Sequence, residues 1–440
     1  MKTIGIWKQR RMAGSWILGA CLRTAGFGDE LAVKLAQAVD LSSPAERAAA
    51  AERMASTATI EQWLAAMKSF GTFATVEPGT HVERVALWNG AKEEETEVEL
   101  FLPESYDLSK PAALLLQLHE TGGTARGGTR LWIQVAEKLG MVVVAPAEHV
   151  EKEGFAYTAR ERAVSLSALR WARRRCNVDE NRVFVSGISR GGHLAWDLAL
   201  RHPDLFAAVM PMVGGPRLNF AQGQNNFRYL ENLWRTRICD LQGANDDKGL
   251  VLNLRLAFEA LNKLGNTHAQ FHEQPGHGHT FDLKAVDWLQ YLNESHRDPA
   301  PPEVVRRYAT DGQGRAFWVE VLKAGKEVQD TFSLKVSADR WNAMTEEQQK
   351  KTVIDQGEQK TARLFAERDA QGKLRVKTEH VEAARLLLLQ DWFVPRKPID
   401  IHYNARTISK KAEPSARVLL REFVERFDRT FLPVAEVMLP

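Results

Sequence analysis

The chain has 440 residues, 44% of them hydrophobic and 26% charged, a balance that supports a large buried core rather than disorder. Lys plus Arg number 59 and Asp plus Glu 56, a net charge of +3. So small an excess excludes a strongly basic nucleic-acid binder as the first reading. Three cysteines cannot build a disulfide framework or a four-cysteine zinc site. No stretch reaches the ~18 apolar residues of a membrane-spanning helix.

Residues 1–11 carry four basic residues and no acid, and an apolar run from Met12 to Ala20 precedes Cys21. That order is the order of an export signal. Leu18-Gly19-Ala20-Cys21 is also similar to a bacterial lipoprotein processing box, with Cys21 as the site of a lipid anchor. Residues 1–24 are therefore expected to be a signal or lipoprotein-like segment of an exported protein. Cys176 and Cys239 then remain, either as a pair or as two structural thiols.

Residues 25–72 read as a helical region. The run from 29 to 70 is rich in Ala, Glu, Lys and Leu, and Ser43-Pro44-Ala45-Glu46 is a helix-start signal, so a pair of helices is expected. From Phe73 the texture changes. Val82–Leu87 and Glu97–Leu102 read as strands, with Asn89-Gly90 as a turn signal between them. Ala112–Leu118, Met141–Ala145 and Arg182–Ser186 are continuous apolar strands, and Ile238–Leu241 is a weaker fourth. Helical patterns lie between and after them: Leu131–Leu139, Ala159–Arg175, His193–Leu200, Leu252–Leu264 and Leu283–Leu292. Strands apolar on both faces, alternating with helices, predict an α/β domain over 73–296, a mostly parallel sheet with helices on both faces. Arg173-Arg174-Arg175 ends one helix and reads as a solvated cationic face.

Three prolines within Pro299-Ala300-Pro301-Pro302 mark residues 297–303 as a linker. Residues 304–440 read as a small β-rich, sandwich-type domain. Its expected strands lie at Ala316–Leu322, Ser333–Val336, Thr361–Ala366, Leu374–Thr378, Ala384–Leu389 and Ile399–Tyr403, and its one firm helix at 413–427. Trp392-Phe393 is assigned to the core of that domain.

The strand Arg182–Ser186 runs into Gly187-Ile188-Ser189-Arg190-Gly191, a G-x-S-x-G motif followed by a helical pattern. In that setting the motif is a nucleophile elbow, which lifts the Ser189 hydroxyl above the sheet edge at a helix N-terminus. An acid should follow a later strand, and a histidine should sit on a loop near the end of the domain. Asp246 fits the first requirement better than Asp247. His279 in Gly-His-x-Phe fits the second better than His277, which is assigned to holding the loop or lining the substrate pocket. The backbone N–H of Arg190 is one expected oxyanion donor. The apolar strand Ala112–Leu118 ends in His119-Glu120-Thr121-Gly122-Gly123, and the second donor is expected there, Thr121 first and Glu120 next. This set implies acyl transfer through a serine nucleophile and requires no metal or organic cofactor. His119, His193 and His202 lack mutual ligand spacing and are assigned structural roles.

Leu114–Leu292 resembles bacterial α/β-hydrolase esterases similar to polyhydroxybutyrate depolymerases and feruloyl esterases. Val178-Asp179-Glu180-Asn181-Arg182-Val183, Ala195-Trp196-Asp197, His202-Pro203-Asp204-Leu205-Phe206 and Pro275-Gly276-x-Gly278-His279 carry the resemblance. It implies hydrolysis of a small-molecule or polymeric carboxylic ester. Two positions depart from the group. Glu120 stands where the first oxyanion loop usually has glycine, and Arg190 where the residue after the nucleophile is usually small or apolar. Glu120 is placed in the substrate pocket. Arg190 either pairs with Glu120 or a nearby acid, or meets a polar or anionic substrate. Alternative readings are a serine peptidase of the prolyl-oligopeptidase type and an inactive binding protein on the same scaffold. The ~110 residues ahead of the first apolar strand are too few for a propeller, which lowers the peptidase reading.

Overall fold

In the computed structural model the described residues are 27–71, 73, 76–147, 157–218, 225–309 and 314–440. The export-type segment and Cys21 lie outside them.

Three helices come first: α1 (Phe27–Val39), α2 (Pro44–Met54) and α3 (Ile60–Lys68). The sequence reading expected two. The division between α2 and α3 is made by Thr59, whose side chain accepts from Gln62 N–H while the Gln62 side chain accepts from Thr59 N–H. This repeats the capping box that Ser43 and Glu46 form at the start of α2.

The α/β region follows as β1 (Gly79–Trp88), β2 (Glu93–Leu102), β3 (Ala112–Leu118), α4 (Ala125–Leu139), β4 (Val142–Pro146), α5 (Ala159–Arg175), β5 (Val178–Ile188), α6 (Arg190–Arg201), β6 (Ala208–Met212), β7 (Arg237–Gly243), α7 (Lys248–Lys263), β8 (Ala269–Gln274) and α8 (Trp288–Asn293). One eight-stranded sheet runs β1-β2-β4-β3-β5-β6-β7-β8. The β1–β2 and β2–β4 pairs are antiparallel and all the others parallel. The β1–β2 loop is wider than a two-residue Asn-Gly turn. Trp88 pairs with Glu93, and Asn89 Oδ1 accepts from the N–H groups of Ala91 and Lys92 at 3.0 and 2.9 Å.

Alternate strand residues feed opposite layers, which is why these strands are apolar throughout. Leu114, Leu116 and Leu118 pack with α5, α6 and α7, while Ala113 and Leu115 face α4 and α8. Strands β6 and β8 were not anticipated. The first is five residues long and contains Pro211; the second is a polar edge strand with no continuous apolar run.

The remaining chain is β9 (Glu303–Tyr308), β10 (Arg315–Ala316), β11 (Val319–Ala324), α9 (Ala338–Asn342), α10 (Glu346–Glu358), β12 (Ala362–Arg368), β13 (Leu374–Glu379), β14 (Val381–Leu388), β15 (Pro398–Tyr403), β16 (Arg406–Lys411), α11 (Ala416–Arg426) and β17 (Ala435–Leu439). Its sheets are β10-β11-β14-β17 and β16-β15-β13-β12-β9, packed face to face around buried Trp318, Leu364, Val376 and Leu386. Trp392 packs edge-on against Trp318, with ring centroids 5.5 Å apart.

Two expectations fail here. Ser333–Val336 is not a strand, and α9 and α10 occupy the next stretch. Thr345 caps α10 through a box with Gln348, a local signal that outweighs the short apolar alternation before it. The arginine triplet at the end of α5 is not a solvated face. Arg173 is 8% exposed and donates to the carbonyls of Arg426 and Phe427 at the end of α11. Arg174 pairs with Asp40, and Arg175 pairs with Glu83 and stacks on Trp171. These cations join α1 and α11 to α5. Indeed α1–α3 share a core with α11, through Leu35, Trp63, Met67, Leu420 and Phe423. The proline segment forms no element but is pinned, since Arg297 bonds Asn181, the Asp204 carbonyl and Asp428. Cys176 and Cys239 are both free and buried.

Candidate active site

The order of the sheet puts the site where it is. From β3 the chain crosses to β4 on one side and then to β5 on the other, so the C-terminal ends of β3 and β5 form the switch point at which such sheets bind ligands. Ser189 follows β5 directly, at φ 54° and ψ −115°, a strained conformation for a non-glycine residue. Its N–H donates to Met212 O at 2.8 Å and its carbonyl accepts from His193 N–H at 3.0 Å, so the turn is held from both sides. A Cβ on Gly191 would overlap the carbonyls of Leu118 and His119. This close approach presses the start of α6 onto the end of β3 and brings the loop beginning at His119 beside the serine.

His279 joins the two remaining groups. Its Nε2 lies 2.8 Å from Ser189 Oγ and its Nδ1 lies 2.8 Å from Asp246 Oδ2. A carboxylate can only accept, so Nδ1 carries the proton and Nε2 is left to accept from the serine hydroxyl. Asp246 Oδ1 accepts from Asp247 N–H at 2.7 Å, and Oδ2 also accepts from Gln242 Nε2 at 2.7 Å. Burial pushes the Asp246 carboxyl up, but these donors and His279 outweigh it and hold it below the ordinary aspartate value.

The structure thus brings Ser189, Asp246 and His279 together and leaves Asp247 and His277 out of the chain of bonds. Asp247 caps α7, accepting from Leu250 N–H at 2.9 Å. The His277 carbonyl accepts from Asn245 N–H at 2.8 Å, tying the histidine loop to the acid loop, and its ring lies 3.4 Å from Thr280 Oγ1. Thr121 is exposed, just before Gly122 at φ 69°. Glu120 folds back on its own loop: a Cβ at Gly123 would sit 2.8 Å from its carboxyl carbon.

Sequence reasoning missed Gln242, a polar residue inside a buried strand, and the wall made by Tyr157, His193 and Arg217. The Arg217 guanidinium lies 4.5 Å over the Tyr157 ring, which meets His193 edge-on at 5.6 Å. His193 Nδ1 sits between the carbonyl and the N–H of Gly215, at 2.6 and 2.9 Å. Burial first, then Arg217, Arg190 and His279, lower the His193 value to about 4 against the opposing pull of the Gly215 carbonyl, so this imidazole is neutral at pH 7. Among the described residues no group of three or more His, Cys, Asp or Glu side chains is arranged to hold a metal ion, and no helix is long and apolar enough to cross a membrane.

A serine on a strained strand-to-helix turn, beside a histidine and an acid from two later loops of a mostly parallel sheet, places the chain in the α/β-hydrolase class. Residues 90–380 match the model of the Esterase family, described as "Putative esterase", and with well over half of its length matched the chain belongs to that family. A probable acetylxylan esterase A of Aspergillus flavus is 25% identical over 132 residues, 27% of this chain and 42% of the relative, so the chain spans less than half of that protein. Among solved structures, a ferulic acid esterase is 19% identical, with 49% of this chain and 97% of that one covered and a TM-score of 0.40. A thermostable esterase is 18% identical, with 49% and 63% covered and a TM-score of 0.37.

Proposed function

We propose that the protein is a serine hydrolase of carboxylic esters that works through a Ser189-His279-Asp246 triad and an acyl-enzyme. The observation that carries this reading is the continuous chain from Ser189 Oγ through His279 to Asp246, with both bonds at 2.8 Å. His279 Nε2 takes the serine proton as Oγ attacks the ester carbonyl. Asp246 holds the Nδ1–H tautomer and offsets the charge that develops on the ring. The N–H groups of Arg190 and Thr121 receive the oxyanion, each contributing about 3 kcal/mol. His279 then protonates the departing alcohol, and water repeats the cycle on the acyl-enzyme.

Simple acyl esters on a plant polymer, acetyl or feruloyl, or a polyester, are the substrate class we assign. The acetylxylan esterase name of the curated relative is in keeping with the first of these. Such polymers lie outside the cell, which agrees with the export-type segment at residues 1–20 and the anchor reading of Cys21. Mass spectrometry of the native protein tests that part; an intact Met1 overturns it.

The activity is tested with p-nitrophenyl acetate and butyrate, a prolyl-peptide amide and a fluorophosphonate label, on wild type and Ser189→Ala. Ester turnover and labelling are expected in wild type and absent from the folded variant. Wild-type ester hydrolysis by Ser189→Ala overturns the assignment. Turnover of the amide alone replaces it with a peptidase.

A further inference from the structure

The pair α9 and α10 interrupts the β-domain between β11 and β12 and leans on the α/β region. One link in this contact is Lys350, whose side chain is 16% exposed. Its Nζ donates to Gly249 O at 2.8 Å and to Asn253 Oδ1 at 2.7 Å, and the Glu346 carboxylate lies 3.2 Å away. Gly249 and Asn253 belong to the first turns of α7. A helix N-terminus is its positive end, so a cation there is disfavoured on general grounds. Lys350 is held by specific acceptors against that preference.

What those acceptors support is the acid of the triad. Asp247 is the N-cap of α7, its side chain bonded to Leu250 N–H at 2.9 Å, and its own N–H donates to Asp246 Oδ1 at 2.7 Å. Asp246 Oδ2 in turn faces His279 and Gln242. The peptide unit that orients the carboxylate is thus continuous with the helix turn that Lys350 grips.

We propose that Lys350 is a positioning residue: the β-domain, through this ammonium, sets the alignment of Asp246 behind His279. The proposal rests on the triad reading above. It gives the C-terminal domain a role in turnover without contact with the substrate.

The test uses the full chain and p-nitrophenyl acetate, with Lys350→Met, Lys350→Arg, Asn253→Ala and Ser189→Ala. Lys350→Met is expected to lower kcat about 3- to 10-fold with KM nearly unchanged, because small misalignments of a catalytic group cost rate rather than binding. The acid limb of its kcat/KM profile should move to lower pH, since a carboxylate set askew supports the protonated imidazole less. Lys350→Arg should recover most of the rate. Asn253→Ala should show the same change at smaller size, and it keeps the test open if Lys350→Met does not fold. A lowered melting temperature with kcat and the acid limb both unchanged, in whichever of these two variants folds, overturns the proposal. If Ser189→Ala keeps wild-type activity, it is the triad reading that fails.

Discussion

The Arg162 guanidinium lies 3.0 Å from the buried carboxylate of Asp197 on the elbow helix α6. Arg162 also donates to Tyr157 O at 2.7 Å. Asp197 accepts from Arg201 at 2.8 Å and from Asn226 Nδ2 at 2.9 Å, while Asn226 Oδ1 accepts from Arg217 N–H at 2.7 Å. One carboxylate on α6 therefore anchors both Tyr157 and Arg217, the two sides of the wall next to Ser189. Burial pushes this acid up, but Arg201, Arg162 and Asn226 hold it below the ordinary value. Its contribution is present above the unfolded aspartate value and is lost as pH falls below it. Asp197→Asn removes the carboxylate that Arg162 and Arg201 face. A loss of about 3–5 kcal/mol is expected in urea unfolding at pH 7, shrinking toward pH 3.

Gly243 ends β7, where a Cβ would overlap the carbonyls of His277 and Gly278. The close approach joins the loop of the acid to the loop of the histidine. Gly243→Ala should push the histidine loop outward and separate His279 from Ser189. We expect kcat to fall about 100-fold while the far-ultraviolet circular dichroism stays native. Wild-type turnover with p-nitrophenyl acetate would show that the loops have slack.

Asp240 is wholly buried in β7, bonded to Trp196 Nε1 at 2.8 Å, and its Oδ1 has no hydrogen-bond partner. Burial raises it well above the usual aspartate range, against the pull of the Trp196 bond. The folded chain therefore keeps a proton that the unfolded chain gives up, so stability falls as pH rises above the unfolded value, until the folded group also ionises. Asp240→Asn removes that dependence. The variant should be more stable than wild type at pH 7 and equal to it near pH 4, read as melting temperature against pH.

Burial pushes the thiols of Cys176 and Cys239 up to about 12. The thiolate is the reactive form, so neither should react with a disulfide reagent in the native state near pH 8. Titration should count both only after unfolding in denaturant, and fast native labelling of either would contradict their burial.

Much of this molecule is legible in local pattern. The strand runs, the helix start at Ser43, and the G-x-S-x-G turn are written in contiguous residues, because their physics acts over a few bonds. Spacing also favoured Asp246 over Asp247 and His279 over His277, and His279 lies within 2.8 Å of both Asp246 Oδ2 and Ser189 Oγ. What local pattern misread had non-local causes. The arginines ending α5 look solvated until the Asp40 carboxylate and the carbonyls that end α11 arrive to meet them. The strand expected at Ser333–Val336 is an irregular segment that leads into helices, one of which reaches α7 through Lys350.

Sequence by itself determined the class of fold, the elbow and the residue types of the site, since each depends on period or short spacing. Tertiary structure alone decided that Gln242 and the Asp247 peptide hold the acid, and that Asp197 gathers the wall around the serine. It also decided that Lys350, a hundred positions along the chain, meets Gly249 and Asn253 in the first turns of α7. Those are meetings between segments brought side by side by the packing of a whole sheet, and no window of neighbouring residues contains them.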